Sequence, residues 1–119
     1  MKEYKLIPEY KSVINKVICN KCGKEIIIND NNYNDINLFH EFAVGFNYGS
    51  KFDMERWKFD LCEDCVLEII RQFKFVPEGF LSYGIQPKNP QKSFEIWKKT
   101  GKIDKGYTKE ELKEMGFIL

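Results

Sequence analysis

Apolar residues fall at helical spacing in one stretch of the chain and at alternate positions in two others. Val66, Ile69, Ile70 and Phe73 stand at i, i+3, i+4 and i+7, the spacing that collects side chains on one helical face. The pattern predicts a helix over Asp60 to Phe73. Asp60 is its expected cap, Glu63 sits in the capping-box position, and Pro77 marks the end of the run. From Ile36 to Tyr48 the even positions are Ile36, Leu38, His40, Phe42, Val44, Phe46 and Tyr48, while the odd ones are mostly small or polar. A period of two predicts a strand with one buried face. Arg56 to Leu61 alternates in the same way, with Trp57, Phe59 and Leu61 on one side. With the turn region Gly49 to Glu55 between them, the two runs predict an antiparallel hairpin whose second strand feeds the helix.

The flanking segments read less strongly. Residues 1–12, broken at Pro8, read as an irregular lead-in; Ser12 to Ile18 and Glu25 to Ile28 lean towards strand; Asn29 to Asn37 is polar and reads as a loop. Glu78 to Lys88 is loop-like. Asn89-Pro90 then opens a short helix to Thr100, ended by Gly101. Thr108 with Glu111 makes a capping box for a last helix, with Tyr107 and Leu112 as its hydrophobic staple and Gly116 as its stop. Phe117, Ile118 and Leu119 are apolar enough to be expected to dock.

Four cysteines change this picture. Cys19-Asn-Lys-Cys22-Gly23 lies between the two strand-leaning runs, and Cys62-Glu-Asp-Cys65 lies at the start of the predicted helix, with 39 residues between the two pairs. A two-residue spacer lets both sulfurs of a pair face one ion, and Gly23 can take the positive φ that such a turn requires. Free N–H groups and the dipole at a helix start favour thiolates at Cys62 and Cys65. Four soft ligands suit one tetrahedral Zn²⁺ held by Cys19, Cys22, Cys62 and Cys65. The competing readings are four unbound thiols, an iron–sulfur cluster, and a dithiol redox site, which would need only one pair. Four thiolates fill the coordination sphere, so the expected zinc is structural and leaves no open position for catalysis. Knuckle, hairpin and helix together predict an α+β, treble-clef-like zinc domain. Within one domain over 1–119, the zinc-binding core is expected at 13–77 and a docked helical extension at 78–119. His40, the only histidine, is read as a residue at the edge of the core.

Composition adds limits. The 119 residues carry a net charge of +1, so no overall field points to nucleic acid or membrane. Residues 1–29 and 88–119 are each basic by three charges and residues 30–87 acidic by five. Seventeen Lys against two Arg speaks against base reading, which favours Arg, and points to an AT-rich genome of a bacterium or phage. No signal peptide or membrane-spanning run is expected. In a cytoplasmic setting, four cysteines read as metal ligands rather than disulfides.

The combination Cys-x-x-Cys-Gly at 19–23, Tyr48-Gly49-Ser50-x-x-Asp53 and Trp57-x-Phe59-Asp60-Leu61-Cys62-x-x-Cys65 resembles a group of small, largely uncharacterised bacterial and phage zinc-finger proteins. The resemblance covers roughly residues 15–80 and implies a zinc-stabilised domain without a known activity. The expected function is therefore that of a non-enzymatic protein-interaction or regulatory protein, one form of which is an inhibitor of a host or defence protein. The hairpin tip, with Tyr48, Ser50, Lys51, Phe52 and Asp53, is the candidate partner surface. The alternative is a nucleic-acid-binding zinc finger that uses the Lys-rich C-terminal segment.

Overall fold

The structure is a computed structural model, and residues 1–6, 12–28 and 33–116 are described. It is a mixed α+β chain that divides into two compact units, Met1–Ile70 and Arg71–Leu119. The expected docking of Phe117 to Leu119 lies outside the described residues, as do residues 29–32 of the polar loop expected over Asn29 to Asn37; the rest of that segment is a short 3₁₀ helix and not a loop.

In the first unit, β1 (Lys2–Leu6), β2 (Ser12–Ile18) and β3 (Glu25–Ile27) form an antiparallel sheet with β2 in the centre. Within the lead-in read as irregular over residues 1–12, Lys2–Leu6 is thus a strand, and residues 7–11 lie outside the described residues. The pairing of this strand starts at Lys2↔Val17 and ends at Leu6↔Ser12, with a shift of register between Glu3 and Tyr4. The backbone N–H groups of a free segment need partners, and the outer edge of β2 supplies them. Val17 in the central strand is fully buried.

A short 3₁₀ helix (Tyr33–Leu38) precedes β4 (Phe39–Gly45), so Ile36 and Leu38 are not strand residues as their alternation predicts. β4 pairs with β5 (Arg56–Cys62) from Phe39↔Cys62 to Gly45↔Arg56. The hairpin is present as expected, but the face assigned to the core is only partly covered. Phe42, Val44 and Trp57 are all exposed, and Tyr48 is 98% exposed. Alternation determines which side chains share a face; covering that face requires other elements. The rings cover one another instead. Phe42 stacks on Phe59 at 5.5 Å, and Phe46, Phe52 and Trp57 form a cluster with centroids 4.6–5.5 Å apart.

Helix α1 (Glu63–Arg71) starts three residues later and ends earlier than its apolar spacing predicts. β5 pairs up to Cys62, so Asp60 is a strand residue and not a cap, and Phe73 lies beyond the helix end. In the second unit the carbonyls of Phe73 and Lys74 accept from Lys98 Nζ and Gln91 Nε2, which holds this segment out of a helix.

The second unit is built around α2 (Pro90–Thr100) and α3 (Lys109–Glu114). Local signals act here as predicted. Asn89 Oδ1 accepts from Lys92 N, and Gly101, at φ 73°, closes the helix by donating to the Trp97 carbonyl. Thr108 and Glu111 form the reciprocal capping box. Phe94 is wholly buried and packs against Phe80 and Trp97, with Arg71 over the Trp97 ring and Lys98 over Phe94. The irregular segments are held by side chains. Lys105 Nζ donates to the Tyr83 and Ile85 carbonyls, Tyr107 Oη to the Gln86 carbonyl, and Lys88 Nζ to Glu111.

Candidate metal centre

The knuckle between β2 and β3 supplies Cys19 and Cys22, the last residue of β5 supplies Cys62, and the first turn of α1 supplies Cys65. Cys62 therefore closes a strand, where the sequence reading placed it in the helix. The knuckle is a tight turn in which Cys19 N donates to the Lys24 carbonyl and Gly23 N to the Cys19 carbonyl. Gly23 has φ 81° with open space where a Cβ would stand, so the backbone conformation and not crowding requires glycine. Lys24 N donates to Cys22 Sγ at 3.4 Å.

The four sulfurs lie within 4.8 Å of one another, with Cys22 Sγ 3.7 Å from Cys62 Sγ. Cys19, Cys62 and Cys65 are 1%, 3% and 4% exposed; Cys22 is exposed. With Leu61 the three buried cysteines form a small core, against which Phe39, Phe59, Val66 and Ile69 pack. Val66 and Ile69 thus meet the sulfur cluster, giving the apolar stripe of α1 its role.

Two bonds clamp the knuckle to β5. Asn20 N donates to the Asp60 carbonyl at 2.8 Å, and Asp60 N donates to Asn20 Oδ1 at 3.0 Å. Asn20 follows Cys19 and Asp60 precedes Cys62 by two, so the clamp fixes the distance between the two cysteine pairs. The Asp60 side chain, in a residue 5% exposed, is held by the Lys2 ammonium and by the Met1 ammonium at 2.6 Å. Lys2 also reaches Glu41 at 2.8 Å. Burial by itself would raise the Asp60 carboxyl; the Lys2 and Met1 ammonium groups outweigh it and hold the group below its ordinary value. Asn20 and Asp60 were not read from the sequence as parts of this site. The sequence carried no signal for it: Asp60 falls on the polar side of the alternation, opposite Trp57, Phe59 and Leu61.

The cysteines do not titrate alike. Burial pushes Cys19 up, but the backbone N–H groups of Cys22, Cys62 and Lys21 prevail and bring it down to about 6. Cys65 is pushed up to about 12 by burial and by the neighbouring sulfurs of Cys62, Cys22 and Cys19. Without a cation, four adjacent thiolates repel one another, so protons stay on part of the set. A bound cation would displace them. The donor set fits one soft metal ion.

The sequence-predicted partner surface is at the hairpin tip, away from the cluster in the chain. Ser50 Oγ accepts from Phe52 N at 3.0 Å, so this side chain holds the turn locally. Tyr48, Lys51 and Asp53 are exposed, whereas Phe52 is partly engaged with Phe46 and Trp57. Met54, at φ 73°, takes the left-handed conformation unusual for its side chain and is almost fully exposed. His40 lies half-buried opposite Leu61, outside the sulfur cluster. Among the described residues no helix is long and apolar enough to cross a membrane. No family model matches the chain, and neither a curated protein nor a solved structure matches it.

Proposed function

We propose that this chain is a zinc-stabilised, non-catalytic protein-interaction or regulatory protein, with one structural Zn²⁺ held by Cys19, Cys22, Cys62 and Cys65 in a treble-clef-like arrangement. The supporting observation is the sulfur geometry. Sulfurs about 2.3 Å from a central zinc form a tetrahedron with edges of about 3.8 Å, and the Cys22–Cys62 separation is 3.7 Å. That separation is far longer than a disulfide. A four-thiolate sphere leaves no place for water or substrate, so the ion's contribution is folding free energy. The resemblance to small bacterial and phage zinc-finger proteins belongs to the same reading, as does a reducing, cytoplasmic setting.

The surface that would meet a partner protein is the hairpin. Its tip presents Tyr48, Lys51 and Asp53, and Phe52 connects it to the exposed ring of Trp57. Loops on a rigid scaffold commonly carry recognition, and exposed aromatics are the side chains that anchor interfaces. Titration with Zn²⁺ should saturate at one equivalent and sharpen the thermal transition. Affinity capture from the native host, compared between the wild type and Tyr48→Ala, then tests the surface. A chain that takes up no metal, or that folds equally well without it, would overturn the zinc reading. Equal capture by Tyr48→Ala would overturn the assignment of the tip.

A second reading has a specific feature behind it. Residues 71–119 carry ten basic against six acidic residues, and Lys92, Lys99, Lys102, Lys109 and Lys113 are exposed. Three other lysines, Lys88, Lys98 and Lys105, are engaged within the unit by Glu111 or by backbone carbonyls. Nucleic-acid binding by this segment would weaken steeply with salt. Absence of binding at low salt would remove the reading.

A further inference from the structure

The four cysteines are unequal in access. Cys19, Cys62 and Cys65 lie beneath the surface, packed with Leu61 and flanked by Phe39, Phe59, Val66 and Ile69. Cys22 is exposed, on the outer limb of the knuckle. Its sulfur accepts the Lys24 N–H and stands 3.7 Å from Cys62 Sγ. Among cysteines that hold one ion, oxidation follows exposure, and it proceeds to a disulfide when a second sulfur stands in reach. Only one member of this cluster combines these conditions.

We propose that Cys22 is an oxidant-modification site, at which a peroxide converts the metal-holding cluster into a Cys22–Cys62 disulfide and so releases the metal. This rests on the reading that the cluster holds Zn²⁺. In the first step the Cys22 thiolate attacks one oxygen of hydrogen peroxide. An S–O bond forms, the O–O bond breaks, sulfur gives up two electrons, and hydroxide leaves and takes a proton from solvent. Cys22 is then a sulfenic acid. In the second step the Cys62 thiolate attacks the Cys22 sulfur, an S–S bond forms, the S–O bond breaks, and a second hydroxide leaves. Two thiolates, one peroxide and two protons give one disulfide and two waters, with no change in the oxidation state of zinc. The two cysteines left, Cys19 and Cys65, cannot complete a tetrahedral sphere.

The choice of Cys62 has a structural consequence. The knuckle and β5 are the pieces that the ion would otherwise hold together. A bond between residues 40 apart ties the same pieces covalently, restricting the unfolded chain as a long-loop disulfide does. Oxidation would then exchange one crosslink for another, with the hairpin still anchored and the rest of the cluster opened. A dithiol reductant with Zn²⁺ would restore the starting state.

The test uses the full chain loaded with zinc, its stoichiometry measured before any oxidant is added. Failure to load overturns the zinc reading at that stage, and this proposal with it. On a loaded protein, substoichiometric hydrogen peroxide should release zinc to a chromophoric chelator in step with peroxide consumed. Peptide mapping after alkylation should find Cys22 linked to Cys62. Dithiothreitol plus zinc should reverse both. Cys22→His keeps four ligands and removes the exposed thiol; it should still load and release zinc at least about tenfold more slowly, since the remaining thiolates are shielded. Release as fast as the wild type, or a disulfide that joins Cys19 to Cys22 instead, would overturn the proposal. If Cys22→His does not load, limiting N-ethylmaleimide on the loaded wild type decides the matter. Modification of Cys22 ahead of the other three supports the assignment, and uniform modification refutes it.

Discussion

Replacing Asn20 by alanine should separate the two cysteine pairs without touching a sulfur. The Asn20 side chain accepts the Asp60 N–H at 3.0 Å, two residues before Cys62, and also lies 2.6 Å from the Met1 ammonium. Asn20 N still donates to the Asp60 carbonyl in the variant, so one arm of the clamp survives. The lost arm strands a backbone donor in a residue only 5% exposed. Leaving such a donor unpaired costs about 1–3 kcal/mol. On the proposed zinc reading, metal binding and folding of this unit would be one equilibrium, so the same free energy should appear in metal affinity, as a loss of about 5- to 150-fold at about 1.4 kcal/mol per factor of ten. Competition for zinc against a chromophoric chelator at neutral pH reads this directly. Asn20→Asp is the matched control. It keeps an acceptor for the Asp60 N–H and for the Met1 ammonium, so it should retain more of the affinity than Asn20→Ala at the same neutral pH. If Asn20→Ala binds zinc within twofold of the wild type, the clamp does not position the cysteines, and the knuckle holds its place through the sheet alone.

Three other perturbations have defined outcomes. Because the Asp60 carboxyl is held below its ordinary 3.8, its contribution is complete above about pH 4 and is lost as pH falls from there through the lowered value. Asp60→Asn should therefore destabilise the protein at neutral pH and flatten this part of the acid limb in pH-dependent denaturation. The neutral-pH loss should be about 2–3 kcal/mol, less than for a fully enclosed pair, because Glu41 still pairs with Lys2; an unchanged acid limb would contradict the assignment. Phe94→Ala removes a ring with 0% exposure and should cost about 3–5 kcal/mol in chemical denaturation, whereas a loss below about 1 kcal/mol would show that the ring does not fill a core. At the hairpin tip, Tyr48→Ala should leave the melting temperature unchanged, while Phe52→Ala should lower it, because Phe52 packs on Phe46 and Trp57; equal melting of the two would refute the ring cluster.

Exposure of Trp57 also bears on how metal removal is followed. The indole is already 47% exposed, so its fluorescence should shift little on metal loss, contrary to what its alternating position suggests. Absorbance of metal–thiolate bonds, or the chelator itself, is the better readout.

The sequence by itself determined those features whose partners lie close along the chain. Asn89, Pro90 and Gly101 delimit α2, and Thr108 with Glu111 starts α3, because a cap satisfies N–H groups within three residues of itself. The cysteine spacing identified the four-sulfur cluster in the same way, each pair being local and the two pairs sharing one chemistry. The tertiary structure alone decided the rest. Asp60 has the sequence position of a helix cap, yet its side chain bonds Lys2, 58 residues away, and β5 continues through it to Cys62. The strand formed by residues 2–6 becomes one only because β2 offers an edge. The hairpin alternates as a buried strand would, but alternation specifies a side and not what lies against it, so Trp57 and Phe42 remain exposed. Periodicity and capping report a residue's neighbours within one or two turns. Burial and charge pairing depend on chain brought back from far away, and no local pattern encodes that return.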